Sequence, residues 1–203
     1  LKTKIIWADV ISIGPGLGRN VKTIDAVNFL MQSHSSKKYV IDADAIFAIS
    51  EKRFSKLNLK NSIITPHMGE FSNLLGIAQD IIMRDRIFYS KQFAKKTGAV
   101  LLLKGSRTLV TENSNTYIIE SGNEGLAKIG SGDVLTGVIS GFLAQKSSCL
   151  NAALLGAFLH GATADLQKDS KSVYGFTASD LSYNLHNTFK KIISNDLSVH
   201  RKK

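Results

Sequence analysis

Along Val21–Gln32 the apolar residues fall at Val21, Ile24, Val27, Leu30 and Met31, a spacing that predicts one face of a helix. Before it, Val10–Ile13 runs apolar up to Gly14, which predicts a buried strand. Short apolar runs at Tyr39–Ile41, Ser62–Thr65 and Val100–Leu103 predict three more, ending at Asp42, Pro66 and Lys104. Between them the pattern predicts a short helix over residues 70–75 and one long helix over Asp80–Thr97, with Gly98 as its C-terminal stop. Thr108–Thr111 and Thr116–Ile119 flank Asn113-Ser114-Asn115 and predict a hairpin. Three helices close the order: Val134–Gln145, Leu150–Gln167 and Ala178–Ile193, the last capped by Thr177 with Asp180 as its capping-box partner.

Strands alternating with helices predict an α/β fold, a mostly parallel sheet covered on both faces. Ligands gather at the carboxyl ends of such strands. Gly14, Gly16, Gly18, Asp42, His67 and Lys104 all follow predicted strands, so one mouth is expected to collect them.

Composition narrows the choices. A chain of 203 residues fits one domain with a substantial core. No apolar run reaches the roughly 18 residues of a membrane span. The longest, Leu150–Ala162, is interrupted by Asn151, Gly156 and His160. The single cysteine, Cys149, excludes an internal disulfide, suits a reducing cytoplasm and is read as a core residue. The net charge of +10 invites anionic ligands, but the lysines are scattered apart from a few pairs and the tail HRKK. Few aromatics interleave with them, which argues against a nucleic-acid groove.

The stretch GNEGLAKIGSGDVLTG at 122–137 places glycines, one acid and a helix start in that order. Amide groups at a helix N-terminus carry partial positive charge, and glycine lets them approach a phosphate. Asp133 would repel that phosphate. It fits either as a helix cap or as a base accepting the proton of a hydroxyl beside the phosphate. Gly137 and Gly141 are read as close-packing positions and His160 as a packed histidine. GPGLG at 14–18 lacks the GxGxxG spacing of a dinucleotide fingerprint, although Asp42 could imitate its ribose-binding acid. Asp42 and Asp44 could serve magnesium through water or simply hold their loop.

GNEGLAKIGSGDVLTGVISGFLAQ, together with GPGLG (14–18), DADAI (42–46), TPHMGEFSNLLG (65–76) and LLKGSRTLVT (102–111), resembles the ADP- or ATP-dependent NAD(P)H-hydrate dehydratases, in the same order. That family is a carbohydrate-kinase-like branch of the ribokinase-like superfamily. The resemblance covers residues 8–185. It implies a three-layer α/β/α fold and dehydration of (6S)-NAD(P)H hydrate with ADP or ATP and Mg²⁺, giving AMP or ADP and phosphate. It implies Asp133 as the catalytic base. Gly16, Gly18, His67, Met68, Gly69, Glu70, Phe71, Ser72, Asn73 and Asp133 would contact the hydrate, with His67 donating a hydrogen bond. Lys104, Gly105, Ser106, Arg107 and Thr108, with Asn123, Gly125, Leu126, Ala127, Gly130, Ser131 and Gly132, would lie along the nucleotide. No protein metal ligands are assigned. A homo-oligomer and an NAD(P)H-hydrate epimerase domain or partner are expected. A small-alcohol kinase and a non-catalytic nucleotide-binding protein are the competing readings.

Three departures qualify the match. Asn73 stands where many relatives carry a basic residue. Glu124 stands where they carry proline, adding negative charge that Lys128 could offset. Ile129 stands where they carry glycine, and a positive φ there would be strained. Relatives also carry roughly 50 to 80 residues ahead of Ala8, a domain-length figure. The chain, residues 1–203, is therefore expected to be a single N-terminally truncated domain lacking its first strands.

Overall fold

The computed structural model describes residues 2–49 and 57–194; the basic tail HRKK lies outside the described residues. The elements run α1 (Lys2–Trp7), β1 (Val10–Ile13), α2 (Val21–Ser33), β2 (Lys38–Ile41), α3 (Ala43–Ala48) and β3 (Ser62–Ile64). They continue through α4 (Met68–Leu75), α5 (Gln79–Arg84), α6 (Arg86–Thr97), β4 (Val100–Leu103), β5 (Thr108–Glu112) and β6 (Asn115–Ile119). A 3₁₀ turn (Glu124–Leu126) then leads to α7 (Ser131–Ala144), α8 (Cys149–Gly175) and α9 (Ala178–Ile193).

The sheet has the order β1-β2-β3-β4-β5-β6. β1 to β4 are parallel, and β5 and β6 return antiparallel as the expected hairpin. Parallel strands in sequential order, joined by crossovers of one hand, carry their connecting helices to a single face. The opposite face needs helices from elsewhere, and α7 and α8 supply them after β6. Alternation along the strands serves both layers. Tyr39, Ile41, Ile64, Leu101 and Leu103 join Val27, Met31, Ile46, Phe71 and Phe93 in one core. Val40, Ile63, Val100 and Leu102 join Leu135, Ile139 and Leu143 in the other. The result is the three-layer α/β/α arrangement expected from the strand–helix pattern.

Several elements differ from expectation. β1 is half-exposed, because among the described residues it is an edge strand with β2 as its one strand neighbour. The long helix over 80–97 is two helices. Asp85 (φ −150°, ψ 75°) leaves the helical region, and its carboxylate accepts the Phe88 amide at 2.8 Å to start α6. Gly98 stops α6 in the left-handed conformation, as expected (φ 70°). The α7–α8 approach depends on Gly156, where a Cβ would lie 2.5 Å from Ile139 Cγ1. At Gly137 and Gly141 a Cβ would meet nothing within 4 Å, so these two are not close-packing positions among the described residues. Cys149 is half-buried against the α7–α8 core, and burial pushes its thiol pKa up.

α8 runs 27 residues, longer than the pattern predicts, with a non-helical kink at Ser172 (φ 64°). By length and composition alone it could cross a membrane. Over half of its apolar stretch is buried inside the protein, with Ala152, Ala153, Leu159, His160, Thr163 and Ala164 all internal. That is the position of a core helix.

Candidate active site

The parallel strands end side by side, and the backbone continues to stitch the residues beyond them. Asp42 N donates to Ile13 O, Thr65 N to Ile41 O, and Lys104 N to Pro66 O. This brings Gly14, Asp42, His67 and Lys104 to one rim. Gly14 is required here: a Cβ on it would lie 1.7 Å from Asp42 O.

Asp42 lies at the floor, 2 % exposed. Its Oδ1 accepts from Lys104 Nζ at 2.8 Å and its Oδ2 from Thr136 Oγ1 at 2.9 Å. Lys104 Nζ is also 3.9 Å from Glu70 Oε2. Asp44 accepts from Gly18 N at 2.9 Å and Arg19 Nε at 2.7 Å. The Arg19 hydrogen bond is the main cause holding the Asp44 carboxyl below the usual range. Both aspartates weighed as magnesium ligands are thus committed to protein partners. The described residues hold no cluster of three His, Cys, Asp or Glu side chains able to cage a metal.

α7 begins above this floor. Gly130 is its N-cap in the left-handed conformation (φ 85°). The amides of Gly132 and Asp133 make no backbone hydrogen bond among the described residues, so they are free to meet an anion. A Cβ on Gly132 would sit 3.3 Å from Lys104 Nζ and 3.5 Å from Asp42 Oδ2, so the glycine turn and the ion pair touch. Asp133 is exposed and makes no side-chain cap hydrogen bond. The N-cap position is Gly130, and Asp133 is the acid of the first turn. Ser131 points inward, with Oγ 3.3 Å from the buried His160 Nε2. His160 is a packed histidine, as expected.

His67 caps α4. Its Nδ1 accepts from Gly69 N (3.0 Å) and Glu70 N (3.2 Å), while Glu70 Oε2 accepts from His67 N (2.8 Å). An Nδ1 with two donors carries no proton, so the ring proton sits on Nε2, which lies 3.5 Å from Glu70 Oε1. Of residues 67–73, one helical face alone can reach the rim. Phe71 is fully buried edge-on to Phe93, Met68 packs on the same core, and Ser72 Oγ bonds Ile77 O. Asn73 and Glu70 line a cavity of about 60 Å³ with Arg19 and Phe47. Gly16 and Gly18 are exposed at φ 70° and 77°.

The segments at 104–108 and 123–132 are held by residues that the local pattern does not single out. Arg86 donates to Ser106 O (3.0 Å) and Arg107 O (2.8 Å), gripping the 105–108 loop, where Arg107 takes a positive φ of 54°. Asp165 accepts from Gly122 N (2.8 Å) and Asn123 Nδ2 (2.9 Å). Gly125 is buried against Phe176, and Leu126 packs on Ala164, Phe176 and Leu181. Lys128 bonds Phe176 O and lies over its ring, so it does not offset Glu124. Glu124, Ala127 and Ile129 face outward. Ile129 is not at positive φ; that conformation falls on Gly130, and the expected strain does not arise.

A second cavity, about 350 Å³, lies away from this rim. Asp9, Lys37, Lys38, Leu143 and Lys146 line it at the amino ends of β1 and β2. Lys37 is spent on Ile6 O and Ala8 O, and Lys38 on Ser147 O.

A family model described as NAD(P)H-hydrate dehydratase matches residues 2–187. The bifunctional NAD(P)H-hydrate repair enzyme Nnr of Moorella thermoacetica is 39% identical over 183 residues, 89% of this chain and 34% of that protein. The chain therefore spans about a third of the length of that curated relative. A ribokinase-like superfamily protein of Enterococcus faecalis has a similar structure: TM-score 0.80, 28% identity, 93% of this chain and 65% of that one. So has the ADP/ATP-dependent NAD(P)H-hydrate dehydratase of Bacillus subtilis, co-crystallised with ATP/Mg²⁺: TM-score 0.77, 30% identity, 90% of this chain and 64% of that one. With its ribokinase-like fold and its glycine turn over a strand-end rim, the chain belongs to the NAD(P)H-hydrate dehydratase family.

Proposed function

We propose that the chain dehydrates (6S)-NAD(P)H hydrate to NAD(P)H at the expense of ADP or ATP. The observation that carries this reading is Asp133: an exposed carboxylate in the first turn of α7, beside the free α7 amides, with the neighbouring Gly132 against the Lys104 ammonium. Asp133 takes the proton of the hydrate's C6 hydroxyl. The oxygen attacks the terminal phosphoryl group, and the bond from that phosphorus to its bridging oxygen breaks, releasing AMP or ADP. Phosphate then leaves with cleavage of the C6–O bond and loss of a proton from C5, which restores the double bond. The α7 amides and Lys104 hold the charge on the transferring group.

Asp42 and Glu70 face the Lys104 ammonium and Asp133 adds a carboxylate in the first turn of α7, so a polyphosphate needs further positive charge. Mg²⁺ fits as a cation arriving on the phosphates, because Asp42 and Asp44 are already bonded. His67 Nε2–H, Gly16 and Gly18 face the hydrate, while the 105–108 loop and residues 123–132 border the nucleotide. The relative is named bifunctional, which is in keeping with a second activity, here proposed to be epimerisation of the hydrate, on the same or a partner chain.

The test is recovery of reduced-nicotinamide absorbance from hydrated NADPH with Mg²⁺ and ADP or ATP, with phosphate measured in parallel. Inorganic phosphate in step with NADPH supports the reading, and a stable phosphate ester indicates a kinase instead. Asp133→Asn is expected to lower turnover by about 10²-fold or more while nucleotide still binds.

A further inference from the structure

Asp42 makes more contacts than a loop aspartate needs. It is the N-cap residue of α3, yet its side chain makes no cap hydrogen bond. Both oxygens are turned instead to other elements. Oδ1 holds Lys104, 62 residues away at the end of β4, and Oδ2 holds Thr136, 94 residues away and one turn into α7. Ala43, immediately after it, takes a positive φ of 47°, a conformation costly for a residue with a Cβ. The pair is also buried, with Asp42 at 2 % and the Lys104 side chain at 21 % exposure. Burying two charges costs desolvation that their attraction does little more than repay, so such a pair is weak as a stability device. Its location gives it another use: a Cβ on Gly132, the second residue of α7, would sit 3.3 Å from Lys104 Nζ and 3.5 Å from Asp42 Oδ2.

We propose that Asp42 is a positioning residue that sets both the Lys104 ammonium and the first turn of α7, through one buried carboxylate. Lys104 has three N–H groups. Asp42 takes one and thereby fixes the direction of the others, keeping the ammonium from closing on Glu70, 3.9 Å away. Thr136 lies three residues beyond Asp133 on the inner side of the same helix, so its bond to Asp42 sets the height of the carboxylate that faces the substrate. One link then governs how phosphates are held, the other how Asp133 is placed. The assignment of Lys104 to phosphate rests on the function proposed above.

The test compares ATP–Mg²⁺ affinity, by calorimetry, for Asp42→Asn, Lys104→Met and the double variant, with thermal unfolding as a fold check. Lys104→Met is expected to weaken ATP by about tenfold. The double variant is expected to bind no worse than Lys104→Met, because Asp42 acts through Lys104. If Asp42→Asn alone does not fold, the comparison of Lys104→Met with the charge-neutral double variant still decides. A further loss of about tenfold in the double variant would mean independent roles and overturn the proposal. Thr136→Val leaves the ion pair intact. It should lower kcat by about tenfold with ATP affinity unchanged, and an unchanged kcat would remove the second link. Absence of hydrate turnover in the unaltered chain would sink the proposed reaction, while the ATP-binding cycle would still report on Asp42.

Discussion

Ser131 Oγ lies 3.3 Å from His160 Nε2, so the first residue of α7 is fastened to the middle of α8 directly beneath the rim. The histidine is 5 % exposed, and burial, with Lys104 as a lesser cause, pushes its pKa down to about 4. A hydrogen bond with the Ser131 backbone works the other way and does not prevail.

Stability should therefore depend on pH through His160. The folded value lies below the unfolded value of 6.5, so the unfolded chain binds more protons between the two. The contribution is fully present above pH 6.5 and is lost as pH falls towards 4. It amounts to about 3 kcal/mol at most, from about 1.4 kcal/mol per unit. Urea midpoints followed from about pH 7 to about pH 4 should fall more steeply for the unaltered chain than for His160→Gln. Parallel slopes would assign the acid sensitivity to the carboxylates instead.

The glycines of the two central helices should respond in opposite directions. Gly156→Ala drives a methyl to 2.5 Å from Cγ1 of Ile139, a stiff, fully buried side chain. It should cost about 1–3 kcal/mol by overpacking. Gly141→Ala meets open space on the exposed side of α7 and should stabilise by about 0.5–1 kcal/mol through helix propensity. Chemical denaturation of both variants checks the pair. A loss at Gly141 would mean that something covers that face in solution.

The contrast between these glycines also shows where sequence reading succeeds. Strand identity was legible because runs such as Val100–Leu103 are apolar throughout and end at a charge. The Thr177–Asp180 box was legible because a cap is local, and both its bonds form. The break at Asp85 was hidden: the apolar spacing continues through it, and what stops the helix is one carboxylate choosing the Phe88 amide. The edge position of β1 was hidden because an apolar strand looks the same beside one neighbour or two. At the site, the glycine turn and Asp133 were readable as a chemical motif. The Asp42–Lys104–Thr136 link was not, since it joins residues 62 and 94 positions apart. The positive φ expected at Ile129 falls one residue later, on Gly130, a shift that residue types alone do not register.

Arg86 is the second long-range device and yields the sharpest separation of binding from turnover. It stands at the first position of α6 and gives two donors to the carbonyls of Ser106 and Arg107. Burial lowers its pKa, so part of the cost of its charge is set against that grip. The gripped loop carries Arg107 at positive φ, a conformation that persists when surrounding contacts enforce it. Arg86→Met should therefore let the loop relax and raise the nucleotide KM by about tenfold, with kcat within about twofold, because Asp133 and α7 are untouched. Arg86→Lys should recover only part of the loss, since an ammonium cannot present the two-pronged geometry of a guanidinium. Steady-state kinetics with nucleotide varied at saturating hydrate would measure this. A fall in kcat with KM unchanged would mean that the loop acts on the reacting groups and not on nucleotide binding.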